Sequence, residues 1–252
     1  MENRRRREAG QVVSQALSFT AILILLISAL LVLSDPAPAE GAEAGGGTVQ
    51  TPEGGAVALP SPALKGTLSV EEVIAGRRSV RGFGDASLTL KQLSQLLWAA
   101  QGITSEDGTR RAAPSAGAKY PLEVFVVAGK VDGLPAGVYR YVPKSHSLAL
   151  EKKGDLREKL CAEALSQESV GAAPASLVIA GVYQRTREKY GERAERYVHI
   201  EVGAVAENVY LEAESLGLAT VFVGAFSDDG VREVVGTGEA EPLGIMPIGA
   251  RP

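Results

Sequence analysis

The segment from Glu195 to Leu216 constrains the fold more than any other. Val202, Val205, Ala206, Val209, Ala213 and Leu216 recur at steps of three and four residues, the spacing of one helix face. Gly203 and Ala204 add small residues on an adjoining side, so this helix is expected at the centre, packed closely against other helices. Gly217 ends it, and Thr220 to Gly224 reads as a strand directly afterwards.

The remaining elements group around that helix. Ser69-Val70-Glu71-Glu72 and Thr89-Leu90-Lys91-Gln92 both carry the capping-box pattern, in which a hydroxyl and a Glu or Gln three residues on satisfy free backbone N–H groups reciprocally. The first helix is expected to end near Gly76. The second buries Leu90, Leu93, Leu97 and Ala100 and stops at Gly102. Leu122 to Ala128 and Ala175 to Gly181 are largely apolar and read as interior strands. Val138 to Val142 and Ser147 to Leu150 alternate, which suits antiparallel strands. One helix is expected over Asp155 to Gln167, with Cys161 filling core space. Strands and helices mix without strict alternation, so the class is α+β rather than doubly wound α/β.

The N-terminal part differs in kind. Arg4, Arg5, Arg6 and Arg7 precede an apolar run from Val12 to Leu33, and Asp35, Glu40 and Glu43 follow it. At about 1.5 Å per residue the run matches a hydrocarbon core of ~30 Å. Basic residues before and acidic residues after place the N-terminus in the cytoplasm and the rest of the chain across the membrane. An uncleaved anchor fits this run, leaving the domain extracytoplasmic and membrane-tethered. A cleaved signal, leaving it secreted, also fits, because Ala37-Pro38-Ala39 and Ala42-Glu43-Ala44 are A-x-A-like. Residues 1–34 therefore read as anchor or signal and 35–63, rich in Gly, Ala, Pro and Glu, as a flexible linker. Residues 64–252 read as one domain.

Composition narrows the chemistry. A single cysteine and two histidines leave no ligand set for a structural or catalytic zinc, so no metal is expected. A net charge of -4 without a basic aromatic stripe gives no support to nucleic-acid binding. One local cluster stands out. Arg77-Arg78-Ser79-Val80-Arg81 sets three guanidiniums and a hydroxyl within five residues, suited to a phosphate monoester, although a solvated basic turn reads the same way.

With these pieces in order the chain resembles the flavin-dependent nitroreductase superfamily, and within it the SagB-type dehydrogenases, which oxidise azoline rings in peptide natural products. The resemblance spans Leu68 to Pro252. It rests on Arg77-Arg78-Ser79-Val80-Arg81-Gly82-Phe83, Ala113 to Val124, Lys189-Tyr190-Gly191-Glu192-Arg193, His199 to Asn208, Gly217 to Phe226 and Met246-Pro247-Ile248-Gly249. It implies an α+β nitroreductase-like fold, an intertwined homodimer and one FMN in each of two interface sites. By position Arg77, Arg78, Ser79 and Arg81 match the phosphate grip. Pro114, Ser115, Ala116 and Gly117 match a loop laid against the flavin ring bound mainly by the partner subunit. Val223, Gly224 and Ala225 match a strand end whose backbone faces the isoalloxazine.

Lys189 and Tyr190 match a pair held to assist proton removal from the substrate ring, as base and relay. The crowd of Arg185, Arg187, Glu188, Glu192 and Arg193 around them also suits a solvated surface helix. The expected activity is hydride transfer between an organic substrate and flavin N5, the substrate a small molecule or a heterocycle-bearing peptide. The alternatives are an NAD(P)H-dependent nitro or quinone reductase, and a non-catalytic flavin-binding or scaffold module. The roles of His199 and Arg251 stay open.

Overall fold

The computed structural model describes residues 56–252. The anchor or signal and most of the linker lie outside them. Among the described residues no helix is long and apolar enough to cross a membrane. Nor does any group of three or more His, Cys, Asp and Glu among them suit a metal ion.

Seven strands form one antiparallel sheet in the order β1-β6-β5-β3-β7-β9-β8. These are β1 (Ala56–Ala58), β3 (Leu122–Ala128), β5 (Gly137–Val142), β6 (Ser147–Lys153), β7 (Ala175–Gly181), β8 (Leu218–Thr220) and β9 (Glu241–Ala250). Two short strands, β2 (Leu88–Thr89) and β4 (Val131–Asp132), pair in parallel beside it. The centre is the β3–β7 ladder, which runs from Leu122 opposite Gly181 to Ala128 opposite Ala175.

Alternation along β3 sends Leu122, Val124, Val126 and Ala128 to one face and Phe125 and Val127 to the other, and both sets are buried. Helices therefore cover both faces. α2 (Leu90–Gln101) and α6 (Ala194–Ser215) pack on the first, together with Leu93, Leu97, Val205 and Val209. α3 (Arg157–Glu163), α4 (Glu168–Ala172) and α7 (Asp228–Val235) cover the second through Leu160, Val170, Val231 and Val235. Helix α1 (Val70–Gly76) lies against α6, and α5 (Tyr183–Tyr190) leads into it. Both capping boxes form as read: Ser69 caps α1 with Glu72, and Thr89 caps α2 with Gln92.

Four expectations need correction. The Asp155–Gln167 helix is broken, because Leu165 and Ser166 take left-handed φ values of 56° and the chain restarts as α4. Cys161 is half-buried there and packs at the edge of the second core. The strand expected over Thr220–Gly224 is displaced: β8 ends at Thr220, and Val223 forms only an isolated bridge to Ile245. Helix α6 is central and packs against α1, α2 and α5 as expected, but among the described residues nothing lies within 4 Å of a side chain placed at Gly203, on its small-residue side.

The fourth correction concerns the linker, which stops short of residue 63. Ala56 to Ala58 pair with Ala149 to Ser147, Val57 and Leu59 are buried, and the Ala63 N–H donates to Gln95 Oε1. His146 pins this strap. Its Nε2 meets Pro60 O at 3.0 Å, so that nitrogen carries the hydrogen, and its Nδ1 accepts from the Tyr141 hydroxyl at 2.8 Å. A chain beginning at Leu64 therefore bares the β6 edge and the surface under Val57 and Leu59, each worth about 1.5–3 kcal/mol when fully buried. Its melting temperature, followed by circular dichroism, is expected at least about 5 °C below that of a chain beginning at Ala56. Equal melting would refute the strap's contribution.

Candidate functional site

Helix α6 organises two polar clusters. The first gathers the arginines. Arg77 closes α1, and the chain then runs without regular structure to β2. The Val80 N–H donates to Thr220 O at 2.9 Å, which fastens the segment to the end of β8. Tyr210 of α6 lies beneath it. Its hydroxyl accepts from the Phe222 N–H at 2.7 Å and bonds Ser79 Oγ at 3.0 Å, while the Arg77 guanidinium sits 5.2 Å from its ring centre. One phenol thus ties the arginine segment to the stretch that carries Val223, Gly224 and Ala225. Of these, Val223 is buried, whereas Gly224 and Ala225 are exposed beyond the bridge.

The guanidiniums here are poorly neutralised. The acid nearest Arg77 is Glu207 at 4.0 Å, Arg78 donates only to the Ala75 and Arg77 carbonyls, and Arg81 has no hydrogen-bond or ion-pair partner among the described residues. Three guanidiniums within one short segment, with a single acid at 4.0 Å, fit a phosphate monoester such as the one FMN carries. Arg251 is committed elsewhere, to Glu214 and the Leu218 carbonyl.

The second cluster forms around the loop. Ser115 precedes a single turn at Ala116–Ala118, and its Oγ accepts the Tyr120 N–H at 2.9 Å. Gly117 takes φ 60°, and a Cβ placed on it would stand 2.7 Å from the Tyr190 hydroxyl and 2.8 Å from Lys189 Nζ. The left-handed φ is the ground for glycine here, since Lys189 Nζ and the Tyr190 hydroxyl are side-chain ends that can move aside. Lys189 and Tyr190, at the end of α5, are thereby brought onto the Pro114–Gly117 loop although they lie far from it in sequence. Lys189 Nζ is 5.4 Å from the Tyr190 ring centre, and Tyr197 braces that ring edge-on at 4.8 Å. The surface-helix reading holds for Lys189, which is exposed, while Tyr190 is half-buried. His199 bonds the Tyr183 hydroxyl at 2.6 Å and is not part of this group.

Glu201 lies on the loop side of α6 at 3% exposure. Burial pushes its carboxyl from 4.5 up to about 7, against the pull of Ser115, Gln101 and the Arg111 charge. Between those two values the folded chain holds a proton that the unfolded chain has lost, so this group's contribution to stability falls as pH rises through that window. Its Oε1 and the Gln101 Nε2 have no partner among the described residues. Arg111 donates to Gln101 Oε1 at 2.9 Å and lies 4.5 Å from the Tyr120 ring centre.

Sequence reasoning missed Tyr210, Glu201, Arg111 and Gln101. Glu201 precedes Val205 by one helical step on an otherwise apolar face, and that was the readable signal. Gly117→Ala is expected to cost about 1–2 kcal/mol from the left-handed φ, as read by urea unfolding, and to displace the ends of Tyr190 and Lys189. Tyr210→Phe leaves the Phe222 N–H without its acceptor and is expected to cost about 1–3 kcal/mol. An unchanged urea midpoint would contradict the bridging role.

The Nitroreductase family profile matches residues 74–250. MJ1384 of Methanocaldococcus jannaschii, which carries a nitroreductase name, is 47% identical over 184 residues, covering 73% of this chain and 92% of that one. The microcin B17-processing protein McbC of Escherichia coli is 28% identical over 155 residues, 59% of this chain and 56% of McbC. A crystal structure of a nitroreductase from Ralstonia eutropha superposes with a TM-score of 0.68 at 32% identity, covering 79% of this chain and 90% of that one. With that match over the arginine segment, the loop and both faces of the sheet, the chain belongs to the nitroreductase family and is an oxidoreductase with FMN as its cofactor.

Proposed function

We propose that the chain is a SagB-type dehydrogenase that works as a homodimer, with Lys189 and Tyr190 handling the substrate proton. The observation that carries this reading is the packing of both side chains on Gly117 of the loop. FMN, when bound, supplies a hydride acceptor at N5. Arg77, Arg78, Ser79 and Arg81 would hold its phosphate, and Val223 to Ala225 would line the ring. An amine and a phenol side by side offer one group to take a proton and one to pass it on.

Two copies are favoured by the helix itself. Tyr210 serves the arginine segment and Glu201 sits at the loop, nine positions earlier on α6. At about 100° per residue that is about half a turn, so the two clusters leave opposite sides of the helix. A phosphate held at one cluster then calls for the loop of a second chain, and the open flank at Gly203, with the exposed Ile200 beside it, suits such an approach. The name of McbC, a processing protein, supports a substrate made beforehand, such as a heterocycle-bearing peptide. The membrane tether remains part of the proposal, with the domain beyond the membrane.

A second reading, an NAD(P)H-dependent nitro or quinone reductase, draws on the name of the M. jannaschii relative. Two variants of the full-length protein separate the readings. Arg77→Ala with Arg81→Ala is expected to weaken FMN retention roughly a hundredfold or more, seen as lost visible absorbance. Lys189→Ala is expected to keep the flavin and to slow oxidation of an azoline peptide roughly a hundredfold. Fast reduction of a nitroaromatic by NAD(P)H, with no azoline oxidation, would give the second reading the site.

A further inference from the structure

The side-chain ends of Lys189 and Tyr190 are free to move over Gly117, so the aim of the phenol has to come from elsewhere. Among the described residues neither the Tyr190 hydroxyl nor the Lys189 ammonium has a hydrogen-bond partner, which leaves the direction of the phenol to contacts of its ring. Two groups touch that ring. Lys189 Nζ stands 5.4 Å from its centre, but this side chain is exposed and its four-carbon stem is flexible. Tyr197 meets it edge-on, with ring centres 4.8 Å apart and planes at 70°, so that the positive edge of one ring faces the π surface of the other.

The chain brings these two rings together through the turn between them. Gly191 takes φ 54° and ψ −131°, a conformation open to glycine and hardly to any other residue. Helix α6 then starts at Ala194 and packs beside α5, with Tyr197 one turn into it. The base of Tyr197 is fixed, because Ala194 and Val198 on either side of it are buried. The far end of α5 is fastened to the same helix, where the Tyr183 hydroxyl meets His199 Nε2 at 2.6 Å.

We propose that Tyr197 is a positioning residue that acts through Tyr190, fixing the line along which the phenol is presented over Gly117. A ring held edge-on by a neighbour keeps its plane, and its hydroxyl then points to one place, beside the Lys189 amine. Without Tyr197 the Tyr190 side chain gains other rotamers, and the phenol parts from the amine. The proposal rests on the reading that Lys189 and Tyr190 handle the substrate proton.

Two measurements on the full-length protein in detergent test it, the first without substrate. With 3-fluorotyrosine in place of Tyr190, the fluorine-19 resonance is recorded in the parent, in Tyr197→Leu and in Tyr197→Phe. It is expected to move in Tyr197→Leu, where the neighbouring ring is lost, and to stay near the parent position in Tyr197→Phe, which keeps the ring. An unmoved resonance in Tyr197→Leu overturns the ring contact whatever the activity. The second measurement is oxidation of an azoline peptide by FMN-loaded protein. Tyr197→Leu is expected to lower kcat roughly tenfold with KM and flavin absorbance unchanged, and Tyr197→Phe to restore the rate. A resonance that moves while kcat stays at the parent value overturns the positioning role, and so does an equal fall in Tyr197→Phe, which would assign the effect to the hydroxyl. A parent that oxidises no azoline, in which the resonance still moves on Tyr197→Leu, overturns the dehydrogenase reading and leaves the ring contact supported.

Discussion

Strands β3 and β7 are buried along both faces, so water has to be excluded from both sides of the sheet, and helices are the elements at hand to do it. On one side the task falls to short helices that end in caps and turns. On the other it falls to α2 and the 22-residue α6, whose apolar stripe of Val198, Val202, Val205 and Val209 presses on the sheet. Once α6 is held that way, its remaining positions are fixed in direction. Tyr210 meets Ser79 and Phe222, Glu201 sits at the loop, and Gly203 is left open. The polar chemistry of the molecule is therefore a by-product of how one helix is seated.

Seating also explains why the two polar clusters differ in character. The arginine segment is largely exposed, and its one near acid, Glu207, stands 4.0 Å from Arg77, so its charge is available to an anion from solvent. The Glu201 group is enclosed, and desolvation rather than any neighbouring charge dominates its behaviour. One cluster presents its charge to solvent, and the other is shut away from it.

Much of this was legible in the sequence, and the reasons are specific. The capping boxes at Ser69 and Thr89 are local and form as read. The β3 and β7 strands carry largely apolar runs, broken only by Glu123 and Ser176, and their bounds are recovered to the residue. Features that depend on long-range contact were not legible. Leu165 and Ser166 carry no glycine to announce a left-handed break in the Asp155–Gln167 segment. Val57 and Leu59 are two apolar residues in a stretch otherwise poor in them, and only the β6 edge gives them a place to be buried. The site residues were legible as separate motifs. That Lys189 and Tyr190 come to rest on Gly117 is a property of the turn after β7, which no motif encodes.

The half-turn between Tyr210 and Glu201 has a consequence for how the cofactor is kept. If, as proposed, the arginine segment grips the phosphate and the loop faces a flavin held by a second chain, each chain contributes halves of two different sites. In that arrangement retention of the flavin is a matter of mass action between chains, tightening with protein concentration and loosening on dilution. Confinement of the chain to a surface, where neighbours are crowded in two dimensions, would then act as a cofactor-retaining device without adding any contact.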